Sequence, residues 1–219
     1  MIEPEAGQTC YAGLDLSSTQ DITALSVVFP QQDGTASLQL HCWIPSDGLR
    51  ERSMRDRVPY DRWAETGLIE LSPGTTIDYA LVEDKLRELR SQYDLREVAY
   101  DPWNARDLAQ RLIGEGFQMV EFRQTLKNFT VPTKQFEKAV LERRLRHGDN
   151  PLLRWMVDCC SVYSDSNGNI RPVKPDRHKD SRRIDGIVSS IMGLDRLNAN
   201  STGPDLGAIL ARGPITFQL

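Results

Sequence analysis

The chain has 219 residues, a formal net charge of -4 and no apolar run long enough to span a membrane. Its beginning lacks the basic segment and apolar stretch of a secretory signal, so we expect an intracellular protein without a membrane partner. Four cysteines without a CxxC pair argue against a disulfide framework or a zinc site. The length is typical of one α/β domain with a sizeable core.

Charge is unevenly distributed along the chain. Residues 104–184 contain 16 Lys and Arg against 10 Asp and Glu, and the remaining residues contain 11 against 21. Such asymmetry can leave a basic surface on a mildly acidic protein. It permits a nucleic-acid partner without requiring one, because solvated helix faces would give the same counts.

The first half begins with three apolar runs separated by turn residues, YAGLDLS, ITALSVVFP and ASLQLHCWIP. Their short connections predict an antiparallel meander. A charged stretch and a short strand, LIELS, follow. The segment IDYALVEDKLRELRSQY then has the spacing of an amphipathic helix, and LREVAYD predicts a strand that ends at Asp101.

The second half alternates between helix and strand patterns, which predicts a sheet covered by helices. NARDLAQRLIGEG predicts a helix with Asn104 as N-cap, and FEKAVLERRLRHG a helix closed by Gly148. Between them, QMVEFRQ predicts a strand. PLLRWMVDCCSVY passes from helix to strand, Asn167-Gly168 is typical of a tight hairpin, and RRIDGIVSSIMGLDRL is the last helix. We divide the chain into an N-terminal extension (1–10), one domain (11–198) and a tail (199–219).

Three acids stand at the ends of predicted elements. Asp15 ends the first strand, Asp101 ends a later strand, and Asp185 lies in the first turn of the last helix. Sites in α/β sheets gather at the carboxyl ends of strands. Clustered carboxylates repel one another unless a cation neutralises them, and Mg²⁺ or Mn²⁺ prefers such oxygen ligands. The pattern therefore predicts a divalent-metal site.

Each acid also has a simpler explanation. Asp15 can cap a turn, Asp101 can be a turn residue before Pro102, and Asp185 can complement the helix dipole. The small residues of the last helix either admit a ligand or pack tightly in the core. Trp103 is expected to pack in the core rather than to contact nucleic acid.

The segments GLDLSSTQDITAL, AYDPWNARDLAQRL, KQFEKAVLERRLRHGDNPLLRWMVDC and RRIDGIVSSIMGLDRL follow one another in the chain. As an ordered set, covering roughly residues 11 to 197, they resemble the nuclease domain of tailed-bacteriophage terminase large subunits. The resemblance implies an α/β RNase H-like fold, with a central mixed β-sheet flanked by helices and a β-hairpin before the last helix. It also implies a metal-dependent endonuclease that cleaves double-stranded viral DNA concatemers during genome packaging.

Within that resemblance Asp15, Asp101 and Asp185 fall on the positions that bind two divalent cations, with Asp15 bridging both ions. Asp21 and Asp180 are either auxiliary ligands or loop and capping residues. The ions would activate water and stabilise the leaving 3′ oxygen. The candidate DNA-binding residues are basic side chains near Asp185 and a more distant group: His178, Lys179, Arg182 and Arg183, and Lys134, Arg143, Arg144 and Arg146.

One feature of terminase large subunits is missing, because the chain contains no GxxxxGK[ST] phosphate loop. We therefore expect a domain excised from a longer chain or encoded separately, which does not translocate DNA by itself. The resemblance implies work in the host cell cytoplasm with a terminase ATPase domain, the small terminase subunit and the portal protein.

Three other functions stay open at this point. A Holliday-junction resolvase would share the acids but prefer branched DNA. An actin-like or sugar-kinase-type ATPase would also open with a strand, an acid and hydroxyl residues, but it would need a second glycine loop, for which the sequence has no convincing equivalent. A non-catalytic DNA- or portal-binding module would use the acids only structurally.

Overall fold

The computed structural model describes residues 4–17, 22–175 and 182–201. Within these residues the chain forms nine strands and seven helices. In chain order they are β1 (Thr9–Asp15), β2 (Thr23–Pro30), β3 (Ala36–Pro45), α1 (Leu49–Asp56), α2 (Tyr60–Glu65), β4 (Glu70–Ser72), α3 (Tyr79–Gln92), β5 (Asp94–Tyr100), α4 (Pro102–Gly114), β6 (Met119–Glu121), α5 (Leu126–Leu141), β7 (Leu145–Arg146), α6 (Pro151–Asp158), β8 (Ser161–Ser164), β9 (Ile170–Val173) and α7 (Asp185–Ser201).

The main sheet is mixed, with strand order β4-β3-β2-β1-β5-β6 and the short β7 beside β3. Strands β1, β2 and β3 form the antiparallel meander that their short connections predict. The pairs β1–β5, β5–β6 and β3–β4 are parallel. Strands β8 and β9 form a separate hairpin just before α7. The predicted mixed sheet and its late hairpin are therefore confirmed.

Alternation of side chains along the strands gives the sheet two apolar faces. One face packs under α3 and α4, with Leu14 and Val98 among its buried residues. The other face packs under α5, α6 and α7, with Tyr11 and Ala99 among its buried residues. We call the second face the α7 face. Among the described residues, no helix combines the length and apolar character that crossing a membrane requires.

Helix α7 lies unusually close to the centre of the sheet because small residues meet there. A Cβ atom placed on Gly13 of β1 would stand 2.1 Å from the Ser189 carbonyl oxygen and 2.6 Å from the Gly193 nitrogen. The buried Ser26 hydroxyl of β2 lies 2.7 Å from the Ser189 hydroxyl. The small residues of α7 thus serve tight core packing, one of the two uses that their sequence suggests.

The path of α7 fixes where it begins. A Cβ placed on Gly186 would meet the Leu40 side chain of β3, and one placed on Gly193 would meet Val28 of β2 and the Gly13 backbone of β1. Arg196, near the end of the helix, forms an ion pair with Glu97 of β5 at 3.7 Å. The helix therefore crosses the sheet diagonally from β3 to β5. Its first residue, Asp185, lies toward the sheet edge at which β1 ends.

Helices α4 and α5 have boundaries that differ from the sequence predictions, and α5 begins at Leu126 rather than near Phe136. Helix α4 begins earlier than predicted, because the Asp101 carboxylate rather than Asn104 accepts the hydrogen bond of the Trp103 N–H at 3.0 Å. Helix α5 ends at Leu141 rather than at Gly148, and Leu145–Arg146 instead pairs with β3.

We expect the substitution Gly13→Ala to destabilise the protein by about 3 kcal/mol, the upper end of typical overpacking costs. The new methyl group would meet backbone atoms of α7, which cannot rotate away as a side chain can. Urea unfolding followed by circular dichroism measures the loss. Gly114→Ala is the matched control, because a Cβ at Gly114 meets nothing within 4 Å. Equal stability of both variants would contradict the close packing of α7 on β1.

Candidate metal site and nucleic-acid interface

Asp15 and Asp101 end neighbouring parallel strands. Leu14 of β1 is the register partner of Tyr100 of β5, so the next residues, Asp15 and Asp101, follow side by side. Adjacent strands lie about 5 Å apart. Alternation from Tyr11 and Ala99 puts both carboxylates on the α7 face. The strand register thus brings these two predicted ligands together.

Gln124 connects this pair to the neighbouring loop. The residue lies between β6 and α5, and its side-chain amide donates a hydrogen bond to Asp15 Oδ1 at 3.0 Å. The bond holds one carboxylate oxygen of Asp15 in a fixed orientation. The sequence analysis missed Gln124, because nothing in the chain order indicates that a loop after the third parallel strand reaches back to β1.

Asp185 occupies the same edge of the sheet, on the β3 side. The carboxylate is 8% exposed and lies near Cys42 of β3. Burial, and secondarily the nearby Asp185 charge, raises the pKa of the Cys42 thiol well above its ordinary value. Cys42 pairs with Ala24, which pairs with Asp15, so all three residues form one row across the sheet. The three predicted acids therefore share one face and one edge.

A buried ion pair lies immediately before Asp185. The Arg183 guanidinium is 1% exposed and donates to Asp56 Oδ2 at 3.3 Å. Asp56 has a fully buried side chain that also accepts from the Tyr60 hydroxyl at 3.0 Å. This pair ties the segment entering α7 to the end of α1. The sequence analysis missed Asp56, because it stands in a stretch rich in charged residues of both signs, where a single acid does not look buried.

The structure separates the basic residues predicted near Asp185. Arg182 is half-buried, whereas Arg183 points into the core and presents no surface to a phosphate. We therefore assign Arg183 to the buried pair rather than to DNA contact. His178, Lys179 and the candidate ligands Asp21 and Asp180 lie outside the described residues.

The more distant basic residues lie in two different places. Lys134 on α5 donates to the Gly168 carbonyl of the hairpin at 3.2 Å. Arg146 pairs with Asp33 at 2.7 Å, on β7 beside the beginning of β3. That end of β3 is six residues from Cys42, about 20 Å along the strand. Arg143 and Arg144 immediately precede β7, so this basic group lies at the edge opposite the acids.

Trp103 is 88% exposed. The expectation that it packs in the core is wrong, because the buried face of α4 is formed by Pro102, Ala105, Leu108, Ala109 and Leu112, and Trp103 lies off that face. Trp103 stands two residues after Asp101, at the acid edge of the sheet.

The acids fit a divalent ion by the chemistry of their oxygen atoms and by the edge of the sheet that they share. Carboxylate oxygens are the ligands that Mg²⁺ and Mn²⁺ prefer, and Asp15, Asp101 and Asp185 are held at one edge by three different elements. Within the part of the chain that the structure describes, no three acidic, histidine or cysteine side chains are yet grouped closely enough to bind an ion. Asp15 Oδ1 accepts a hydrogen bond from the Gln124 amide, and Asp101 Oδ1 accepts one from the Trp103 N–H.

Comparison with known sequences gives one consistent result. The family described as terminase large subunit, endonuclease domain, matches residues 3–201. The terminase large subunit of Enterobacteria phage HK97 is 34% identical over 194 residues, which are 88% of this chain and 38% of that protein. Protein YmfN of Escherichia coli K12 is 26% identical over 203 residues, 89% of this chain and 44% of that protein. The chain thus spans less than half the length of either relative.

Solved structures agree with the sequence comparison. The crystal structure of the HK97 large terminase superposes with a TM-score of 0.79 at 32% identity, over 88% of this chain and 40% of that chain. The large terminase nuclease of thermophilic phage G20c shares the fold, with a TM-score of 0.59 at 12% identity over 88% and 86%. The G20c nuclease has also been crystallised with bound magnesium and with bound cobalt.

Proposed function

Because the chain belongs to the endonuclease-domain family of terminase large subunits, we propose that it is a metal-dependent endonuclease that cleaves double-stranded viral DNA concatemers during genome packaging. The observation that carries the proposal is the shared edge of the α7 face, where β1, β5 and α7 place Asp15, Asp101 and Asp185. A metal-dependent nuclease needs carboxylates that converge on the ions, and we propose that these three acids converge there when the ions bind.

We assign the binding of two divalent cations, Mg²⁺ or Mn²⁺, to these acids. Such ions activate water for attack on phosphorus and stabilise the leaving 3′ oxygen. Asp15 ends the strand between the other two acids, so it is the residue suited to contact both ions. Gln124 orients the Asp15 carboxylate through its hydrogen bond. Asp21 and Asp180 remain candidates either for auxiliary ligands or for loop and capping residues.

The DNA would lie over this edge of the sheet. Arg182, with His178 and Lys179, belongs to the segment that enters α7, and phosphate contacts from such residues hold DNA without reading its sequence. Lys134, which donates to the Gly168 carbonyl of the hairpin, is a further candidate contact. Contacts from Arg143, Arg144 and Arg146 would require DNA to reach the opposite edge.

This chain spans less than half the length of either relative, so the rest of a terminase enters the proposal as partners of this domain. We propose that this nuclease acts in the host cell cytoplasm beside a terminase ATPase domain, the small terminase subunit and the portal protein. Family membership over residues 3–201 favours this function over a Holliday-junction resolvase, an actin-like ATPase or a purely structural module.

We expect supercoiled plasmid to be nicked and linearised in Mn²⁺ or Mg²⁺ and to stay intact in EDTA. The physical reason is that the clustered carboxylates cannot activate water without a cation. Agarose gel electrophoresis measures the products, and excess Mn²⁺ added after EDTA should restore cleavage. Cleavage that persists in EDTA would exclude the metal mechanism. Preference for a four-way junction over linear duplex would instead favour a resolvase.

A further inference from the structure

The most exposed large apolar side chain of the described residues is Trp103, at the beginning of α4. Its backbone N–H donates to Asp101 Oδ1 at 3.0 Å, which fixes the first turn of the helix beside a candidate metal ligand. A tryptophan that remains 88% exposed contributes little burial to folding. A single exposed apolar residue is ordinary on a surface, so its surroundings decide its meaning.

Those surroundings form an open cleft. The cleft has a volume of about 630 Å³ and lies between the first turn of α4 and the loop that follows β6. Its walls include Asp101, Trp103, Arg106, Arg123 and Gln124. Gln124 also donates to Asp15, so the cleft is continuous with the acid edge.

Two arginines line the cleft beside Asp101. Arg106 follows Trp103 by three residues and therefore lies on the same side of α4. The Arg123 side chain is 68% exposed, and its ion pair with the exposed Glu121 spans 3.7 Å. Such an exposed pair is weak, so the guanidinium remains able to bind another anion. Arginine suits phosphate because its planar fork donates two hydrogen bonds.

We propose that this cleft binds the DNA strand on one side of the scissile phosphate. Arg106 and Arg123 contact backbone phosphates, and the Trp103 ring stacks on a base or sugar that is unpaired at a strand end or beside the cut. Stacking on an aromatic ring accepts any base, because every base has a π-face. The proposal rests on the proposed nuclease function for its location, since the acids mark the site of cutting.

DNA binding in EDTA tests the cleft apart from catalysis. The probe is a fluorescein-labelled duplex with a single-stranded extension, and fluorescence anisotropy measures its affinity for the full chain. We expect Trp103→Ala to weaken binding about 10-fold and Trp103→Phe to restore most of the affinity, since phenylalanine also stacks. Leu141→Ala, an exposed apolar residue at the end of α5, is the matched control.

The arginines have a separate signature. Arg106→Ala and Arg123→Ala should each weaken binding similarly for any DNA sequence and reduce the salt dependence by about one phosphate contact. Arg154→Ala on α6, whose side chain is 65% exposed, is their control. Intrinsic fluorescence gives a second readout, because DNA should quench the exposed Trp103 and Trp103→Phe should lose that quenching.

The outcomes separate the two proposals. Wild-type affinity of Trp103→Ala, Arg106→Ala and Arg123→Ala, with unchanged salt dependence of the two arginine variants, would overturn the cleft. Plasmid cleavage by the same proteins would leave the nuclease proposal intact. Weakened binding in these variants, with a wild type that never cleaves DNA in Mn²⁺ or Mg²⁺, would support the cleft and overturn the nuclease.

Discussion

Asp15→Asn, Asp101→Asn and Asp185→Asn should each reduce plasmid cleavage in Mn²⁺ by at least about 10³-fold, since an ion stabilises the transition state by several kcal/mol. Asparagine keeps the shape of aspartate but removes the charge that holds a cation. It also caps helices as well as aspartate does, so Asp101→Asn preserves the beginning of α4. Initial rates of plasmid nicking measure the effect.

Two controls separate lost chemistry from lost structure. Asp107→Asn changes an exposed acid on the same helix as Asp101 and should cleave like wild type. Thermal unfolding without metal should show each acid variant at least as stable as wild type, because one source of carboxylate repulsion is removed. Mn²⁺ should raise the melting temperature of wild type and raise that of the variants less, since binding stabilises the native state.

Full cleavage by all three acid variants would contradict the assignment of the site. Loss of cleavage with an unchanged response of the melting temperature to Mn²⁺ would place the ions on other residues. The three variants therefore test metal binding and catalysis separately.

Asp56→Ala should lower the free energy of unfolding by about 3–5 kcal/mol, the usual cost of breaking a buried ion pair by removing one partner. The substitution takes a carboxylate from the Arg183 guanidinium and an acceptor from the Tyr60 hydroxyl, both inside the core. It also releases the segment that enters α7, so cleavage should fall with stability. Urea denaturation measures the first effect and plasmid nicking the second.

An exposed ion pair provides the control for Asp56. Asp84 pairs with Arg87 on α3, and its side chain is 71% exposed, so Asp84→Ala should cost at most about 1 kcal/mol. The double variant Asp56→Ala, Arg183→Met should recover part of the loss, because it removes both buried charges. A loss for Asp56→Ala no larger than that for Asp84→Ala would show that the pair contributes little.

The meander, the hairpin and the position of Asp185 were predictable because each rests on local patterns. Short turns fix antiparallel neighbours, Asn167-Gly168 fits a tight turn, and helical spacing begins beside Asp185. The pairing of Asp15 with Asp101 was an inference from strand ends, and the parallel register of β1 and β5 supplies its geometry.

Other features depend on contacts between distant residues. Asp56 and Arg183 are 127 residues apart, and Gln124 and Asp15 are 109 apart. In the sequence, polar residues such as these look like solvent-exposed surface residues. Their burial and their partners are set only by the folded chain. Trp103 shows the opposite error, because the sequence predicted burial and the side chain is exposed. Apolar character alone does not show which side of the first helical turn a residue occupies.

Because α7 carries Asp185 across the sheet, the edge with the three acids is complete only after α7 has docked during folding. Asp185 is 170 residues after Asp15, and contacts between such distant parts of a chain form late because closing a long loop costs entropy. The three carboxylates therefore meet only after α7 has docked on Gly13 and its neighbours. On the proposed assignment, a chain synthesised only as far as β9 lacks Asp185 and therefore has an incomplete metal site.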